Sequence, residues 1–72
     1  MKNFEFHREI FIDRLKEFID ERSVLAISEL VGIPERTIHG WLRKETTPSM
    51  EYLIILAQKM KCSIDYLVGL EN

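Results

Sequence analysis

The sequence predicts an all-α fold, a compact domain of five helices, on three observations. Apolar residues recur at spacings of three and four, and no segment of useful length alternates as a half-buried strand does. Serine stands directly before three of the apolar segments, where a helix N-cap is expected. Glycine and proline are few, with three and two residues, so little of the chain is left for irregular structure.

The first helix is predicted from about Phe4 to Glu21, with residues 1–12 as its extended start and Asn3 as a candidate N-cap. Its apolar stripe consists of Ile12, Leu15, Phe18 and Ile19. Two roles stay open for the phenylalanines at positions 4, 6 and 11. They could cover the fifth helix, or they could join an interface between two chains.

The second and third helices are predicted to form a helix-turn-helix. Ser23 caps helix 2, about residues 24–31, and Gly32 takes the left-handed position after it. Pro34 suits the first turn of helix 3, which runs to about Arg43. The inward side chains are Ile27, Leu30 and Val31 on helix 2 and Ile38, Trp41 and Leu42 on helix 3. A turn this short pushes the second helix outward from the body of the domain.

Two further helices complete the predicted domain, which spans residues 1–72. Ser49 caps helix 4, about residues 50–61, and Ser63 caps a short helix 5, about residues 64–70. The inward side chains are Leu53, Leu56, Ala57 and Met60 on helix 4 and Ile64 and Leu67 on helix 5.

Composition excludes several classes of protein. The single Cys62 rules out an internal disulfide, and with only His7 and His39 beside it no metal site is expected. No apolar run approaches the ~20 residues of a membrane span, and the start of the chain is not a signal peptide, so a cytoplasmic location is expected. No nucleophile–base pair or phosphate-cradling glycine loop is present, so we expect no enzyme, no cofactor and no small-molecule substrate.

The distribution of charge is more informative than the total of −2. Residues 1–31 carry seven acidic and five basic side chains, and residues 49–72 carry three and two. Residues 32–48 hold three basic side chains against two acidic ones, so the net-positive stretch coincides with the helix-turn-helix. A small local excess of positive charge predicts modest affinity for phosphate per chain.

Two segments resemble the Cro/phage-repressor type of helix-turn-helix DNA-binding domain, the XRE-like or lambda-repressor-like family. VGIPERTIHGW at residues 31–41 is similar to the turn and recognition helix of that family, and TPSMEYLIILAQKMKCSIDYLVG at residues 47–69 is similar to its second half. The resemblance covers about residues 14–70. Relatives often have Gln at the start of helix 2 and Gly after helix 3, where this chain has Val24 and Lys44.

The resemblance implies a recognition helix at residues 35–43. The residues that would face base edges are Glu35, Arg36, Thr37, His39 and Gly40. Their chemistry agrees, because the planar fork of Arg36 suits the O6 and N7 atoms of guanine and Glu35 can accept a hydrogen bond from cytosine N4. Two alternatives stay open. The exposed side chains could form an ordinary solvated face, and Glu35 could serve only the helix dipole.

Phosphate contacts are expected at the two ends of the helix-turn-helix. The candidates are Ser23, Arg43, Lys44, Thr46 and Thr47. A serine at a helix N-terminus lies beside N–H groups that favour anions, and the other four surround the end of helix 3. The alternative for the last four is a solvated loop.

Helices 4 and 5 carry more apolar surface than one core face needs, which predicts an interface. The candidates are Tyr52, Ile54, Ile55, Tyr66, Val68 and Leu70. A symmetric homodimer through them would place two recognition helices about 34 Å apart, as an inverted-repeat site requires. The alternative is a tighter core that the first helix wraps.

The function expected from these features is a sequence-specific DNA-binding transcriptional regulator. A small prokaryotic or phage repressor that binds an inverted-repeat operator as a dimer fits best. The alternative is a protein-interaction module of the same fold, such as an antitoxin or anti-repressor, whose partner would bind the apolar surface. The expected partners are thus the major groove of double-stranded DNA, a second copy of the chain, and in the alternative another protein.

Overall fold

A computed structural model describes residues 7–71, and every regular element in that range is helical. The helices are α1 (Arg8–Ile19), α2 (Val24–Val31), α3 (Glu35–Leu42), α4 (Met50–Met60) and α5 (Ile64–Leu67). The predicted all-α fold of five helices, with a helix-turn-helix at the second and third, is confirmed.

Serine side chains begin three of the helices, as predicted. The Oγ atoms of Ser23, Ser49 and Ser63 accept hydrogen bonds from backbone N–H groups three residues on, at 3.0, 3.2 and 3.0 Å. Each bond satisfies one of the N–H groups that the first turn of a helix leaves unpaired. Local chemistry therefore sets the start of α2, α4 and α5.

The predicted bounds of α2 are confirmed, and the other helices are shorter than predicted. Helix α1 begins at Arg8 instead of Phe4 and ends two residues early, at Ile19. Helices α3 and α4 each end one residue early, and α5 ends three residues early because Gly69 turns the chain with φ +90°. The predicted cap at Asn3 and the phenylalanines at positions 4 and 6 lie outside the described residues.

Left-handed backbone ends several helices, and glycine occupies only some of these positions. Gly32 follows α2 with φ 76° and ψ 23°, as predicted. Lys44 has φ 65° and Lys61 has φ 58°, although side chains with a Cβ disfavour this region. The conformation of Lys44 gives the physical reason why glycine suits that position in similar sequences.

The core is a single apolar cluster to which all five helices contribute. Its members include Phe11, Leu15, Ile27, Ile38, Leu56 and Leu67. Trp41 lies at its centre, with the rings of Phe11 and Tyr52 edge-on at centroid distances of 5.8 and 5.9 Å. The prediction that Trp41 belongs to the core is confirmed, and Phe11 is buried there as well.

Leu30 is predicted to face inward but is exposed, and four other predicted core residues are only partly buried. Leu30 is 46% exposed, because Ile27 and Val31 fill the narrow face that an eight-residue helix turns to the core. Phe18, Leu42, Met60 and Ile64 are half-buried at the edge of the cluster.

Helix α1 contacts two distant parts of the chain, α5 and the loop after α3. The guanidinium group of Arg14 lies 3.7 Å from the centre of the Tyr66 ring, and its Nε donates to the Tyr66 carbonyl at 2.6 Å. At the start of the helix, Arg8 Nη1 donates to the Lys44 carbonyl at 3.0 Å. The first helix therefore holds α5 and the loop after α3 in fixed places.

Candidate nucleic-acid interface

The outward face of α3 follows from the burial of its other face. Ile38 and Trp41 are buried one turn apart, which anchors α3 to the core. Glu35 and Arg36 are exposed at its start, and Thr37 and His39 are half-buried at the borders of the exposed face. Four of the five predicted base-facing residues therefore present surface to solvent.

The turn before α3 is fixed by local hydrogen bonds. The Ser28 hydroxyl donates to the Ile33 carbonyl at 2.6 Å, and the Gly32 N–H donates to the Ser28 carbonyl at 2.8 Å. Ile33 is buried below the turn. These contacts set the angle between α2 and α3, and hence the direction in which the first turn of α3 projects.

Gly40 differs in burial from the other four residues that are predicted to face bases. The residue is buried, and a Cβ atom placed on it would lie 3.0 Å from Thr46 Oγ1. Its carbonyl accepts from the N–H groups of Glu45 and Thr46, at 2.9 and 3.4 Å. The absence of a side chain at Gly40 lets the loop fold back against α3, which gives the residue a packing role.

A groove beside α3 brings together residues from three parts of the sequence. Its lining includes Arg36, Thr37 and Gly40 from α3, and Thr46, Thr47 and the cap residue Ser49 from the loop that follows. The fold thus joins three predicted base-facing residues to two predicted phosphate-contacting residues on one continuous surface. We call the exposed face of α3, with residues 43–47 and this groove, the α3 face.

The two basic residues at the end of α3 are exposed, and each has an acidic neighbour. Arg43 Nε lies 3.2 Å from Glu45 Oε2, and Lys44 Nζ lies 3.5 Å from Glu9 Oε2. Exposed ion pairs of this kind contribute about 0–1 kcal/mol, so an incoming phosphate can displace the carboxylate. The position of Glu9 was not visible in the sequence, because it depends on where α1 lies.

Ser23 takes the predicted place at the start of α2. Its Oγ accepts from the Ala26 N–H, which leaves the hydroxyl proton free to donate to a phosphate oxygen. Val24 follows it and packs partly against the core. This end of α2 therefore offers a hydroxyl and backbone N–H groups in place of the Gln side chain of similar sequences.

The predicted dimer residues differ in how much surface they expose. Val68 is only 4% exposed and belongs to the core, and its carbonyl accepts a hydrogen bond from the His7 N–H at 3.4 Å, so its side chain offers little surface although it lines a groove with Leu70. Tyr66 is covered by Arg14, and Tyr52 and Ile55 are half-buried against the core. Ile54 and Leu70, at 41% and 44% exposed, remain available.

An apolar groove between α4 and α5 adds a residue that the sequence reading missed. Met50 is 62% exposed, and with Leu53, Ile64 and Leu70 it lines this groove. Met50 and Ile54 are four residues apart and therefore lie on one side of α4. The spacing of four between Met50 and Ile54 indicates a shared face in the sequence itself, but the sequence analysis uses Met50 only as the first residue of helix 4.

Other chemistry is sparse in the described part of the chain. No group of three or more His, Cys, Asp or Glu side chains in residues 7–71 is placed to hold a metal ion. None of the described helices is both long and apolar enough to cross a bilayer. Burial raises the pKa of the Cys62 thiol, Arg14 lowers it and Glu71 raises it, with burial the largest effect.

Comparison with known proteins agrees with this geometry. A helix-turn-helix family model matches residues 20–67. Over 43 residues the chain is 40% identical to the repressor protein C2 of Salmonella phage P22, an alignment that covers 60% of this chain and 20% of the repressor. The match thus spans about a fifth of that relative's length. No solved structure gives a significant match.

Proposed function

The chain belongs to the helix-turn-helix family, and from that membership we propose that it is a sequence-specific transcriptional regulator that binds an inverted-repeat operator as a dimer. Family membership and the similarity to a phage repressor support the coarser statement, a DNA-binding transcriptional regulator. A small prokaryotic or phage repressor is the form that we propose. No catalytic activity is part of the proposal.

The observation that carries the proposal is the exposed first turn of α3. Arg36 projects from it beside Thr37, while Ile38 and Trp41 fix the helix from behind. A helix about 10–12 Å in diameter fits the major groove, which is about 12 Å wide. In that position Arg36 can donate two hydrogen bonds to guanine, and Thr37 can contact a neighbouring base.

Phosphate contacts on both sides would orient α3 in the groove. On one side, Ser23 and the start of α2 would contact a phosphate. On the other side, the contacts would come from Arg43, Lys44, Thr46 and Thr47. Such contacts supply most of the affinity and fix the register, while base contacts supply the sequence preference. Repression would follow from occupation of a promoter.

We assign the dimer interface to the apolar groove between α4 and α5 and the adjoining side of α4. Met50, Ile54 and Leu70 are its exposed members. Two copies joined there by a twofold axis would present two α3 faces, at the spacing of about 34 Å that half-sites one turn apart require.

A second candidate function is a protein-interaction module, and the same apolar groove favours it. An antitoxin or anti-repressor would use this groove for a partner of a different sequence. The discriminating variants are Arg36→Ala on the α3 face and Leu70→Asp at the groove. Loss of function in the second alone would assign the protein to this class. Ile55 is unsuitable for the test because it packs against the core.

The experiment that tests the proposal is selection from random duplexes, with sequencing of the retained DNA, for the protein and for Arg36→Ala. We expect an inverted repeat that the variant binds roughly 5–150-fold more weakly, as loss of one bidentate base contact predicts. Lys59→Ala is the matched control, because it also removes one exposed positive charge but lies on the last turn of α4. Failure of the wild-type protein to enrich any sequence would refute the proposal.

A further inference from the structure

The positive charges at the end of the α3 face are partly neutralised by carboxylates of the same chain. Arg43 pairs with Glu45, two residues along, and Lys44 pairs with Glu9, which belongs to α1. These are the ion pairs that residues 7–71 contain. Both ion pairs therefore involve basic residues that the proposed function requires to contact phosphate.

The Lys44 pair is set by the fold and not by proximity in sequence. Thirty-five residues separate Glu9 from Lys44. The neighbouring Arg8 donates from Nη1 to the Lys44 carbonyl at 3.0 Å, which holds the first turn of α1 against this loop. Lys44 has a left-handed backbone with φ 65°, and its Nζ lies 3.5 Å from Glu9 Oε2.

We propose that Glu9 and Glu45 compete with DNA phosphate for Lys44 and Arg43, and that they thereby limit the sequence-independent affinity of the protein. This inference rests on the proposed function. A phosphate oxygen and a carboxylate oxygen bind the same donors, so each carboxylate occupies a place that a phosphate would take. If the carboxylate stays nearby after displacement, its charge repels the phosphate.

The competition lowers the affinity for duplex DNA of any sequence. Phosphate contacts add to binding on any duplex, whereas the base contacts of α3 add only on the operator. In a chain with little excess positive charge and two competing carboxylates, base contacts therefore supply a larger share of the affinity for the operator than phosphate contacts would otherwise allow. The overall charge of −2 agrees with this arrangement.

The expected size of the effect follows from the exposure of both pairs. An exposed ion pair changes an equilibrium constant by about two- to fivefold at low salt, and salt screens it. Each carboxylate removed should also restore one counterion-releasing contact per subunit. The plot of log affinity against log salt should then steepen by up to about 0.9 for each subunit.

The test uses Glu9→Gln, Glu45→Gln and the double variant of the full chain. Binding is measured by fluorescence anisotropy on a labelled random-sequence duplex and on the selected operator, at about 50 and 200 mM salt. Glu17→Gln is the matched control. It makes the same change of charge on the same helix, but Glu17 lies beside Arg14 and Tyr66, away from Lys44, and makes no ion pair within the described residues.

We expect each single variant to bind the random duplex about two- to fivefold more tightly at the lower salt, and the double variant more tightly still. The gain should shrink at the higher salt, and Glu17→Gln should bind as the wild type does. Trp41 emission reports whether each variant is folded, and Glu45→Gln still tests the proposal if Glu9→Gln does not fold.

Two results would overturn the inference. If the wild type selects an operator and the variants bind no more tightly than Glu17→Gln, the inference fails while the proposed function stands. If neither the wild type nor any variant binds duplex DNA at either salt, both fail together.

Discussion

Replacement of Gly32 by alanine isolates the energy of one backbone conformation. Gly32 has φ 76° and ψ 23°, and an added Cβ atom would meet nothing within 4 Å. The left-handed region costs a residue with a Cβ about 1–2 kcal/mol, while alanine gains about 0.4–1 kcal/mol because its unfolded chain is less free than that of glycine. The free energy of unfolding should therefore fall by about 1 kcal/mol, which in a domain of this size lowers Tm by about 4–8 °C.

The assay is urea and thermal unfolding followed by Trp41 fluorescence, and Lys61→Gly is the matched opposite. Lys61 ends α4 with φ 58° and ψ 45°, and its side chain is exposed. Glycine there relieves the same strain that alanine creates at Gly32, so Lys61→Gly should raise the free energy of unfolding by a similar amount. An unchanged Tm for Gly32→Ala, or a lower Tm for Lys61→Gly, would show that backbone conformation does not control these helix ends.

Four further predictions follow from the core, the α3 face, the dimer groove and the thiol. Trp41→Ala should cost about 3–5 kcal/mol, most of the margin of a small domain, and circular dichroism should show a largely unfolded chain. Arg43→Ala should flatten the salt dependence of DNA binding by less than about 0.9 per subunit, because Glu45 already competes for Arg43, and should leave the selected sequence unchanged. Ile54→Asp should reduce the hydrodynamic mass from dimer to monomer, while circular dichroism still shows a folded helical chain. Because its pKa is raised, the Cys62 thiol should stay protonated to higher pH than a free cysteine, so alkylation followed by mass spectrometry should be slower than in urea.

Features that depend on neighbours in sequence could be predicted before the structure was known. The serine caps and the bounds of α2 follow from side chains that bond to backbone three residues away. The left-handed position of Gly32 follows from the short turn after Val31. Each of these features depends on residues within one turn of helix, so a short stretch of sequence is enough to predict it.

Features that depend on where α1 lies could not be predicted in this way. Val68 is predicted to lie at an interface, but it is only 4% exposed and its carbonyl accepts a hydrogen bond from the His7 N–H, which precedes α1. The pairing of Glu9 with Lys44 has the same origin, since no periodicity relates residues so far apart. Leu30 shows a second kind of error, because periodicity gives the direction of an apolar face but not its width.

The α3 face was predicted through the resemblance and not from spacing alone. At Gly40, which the resemblance places among the base-facing residues, the structure adds a close contact within the protein. A Cβ atom placed there would lie 3.0 Å from Thr46 Oγ1. A glycine in a helix indicates that something approaches closely, and only the three-dimensional structure says what approaches.

The attachment of α1 to α5 has a consequence for the time at which the protein can fold during synthesis. Chains are made at about 5–20 residues per second, so Val68 leaves the ribosome's active centre roughly 2–10 s after Ile19. Helices form in microseconds or less, yet the core that buries the apolar stripe of α1 is complete only when α5 has been made. Through that interval the part of the stripe that packs against α5 in the finished protein is open to chaperones and to other nascent chains.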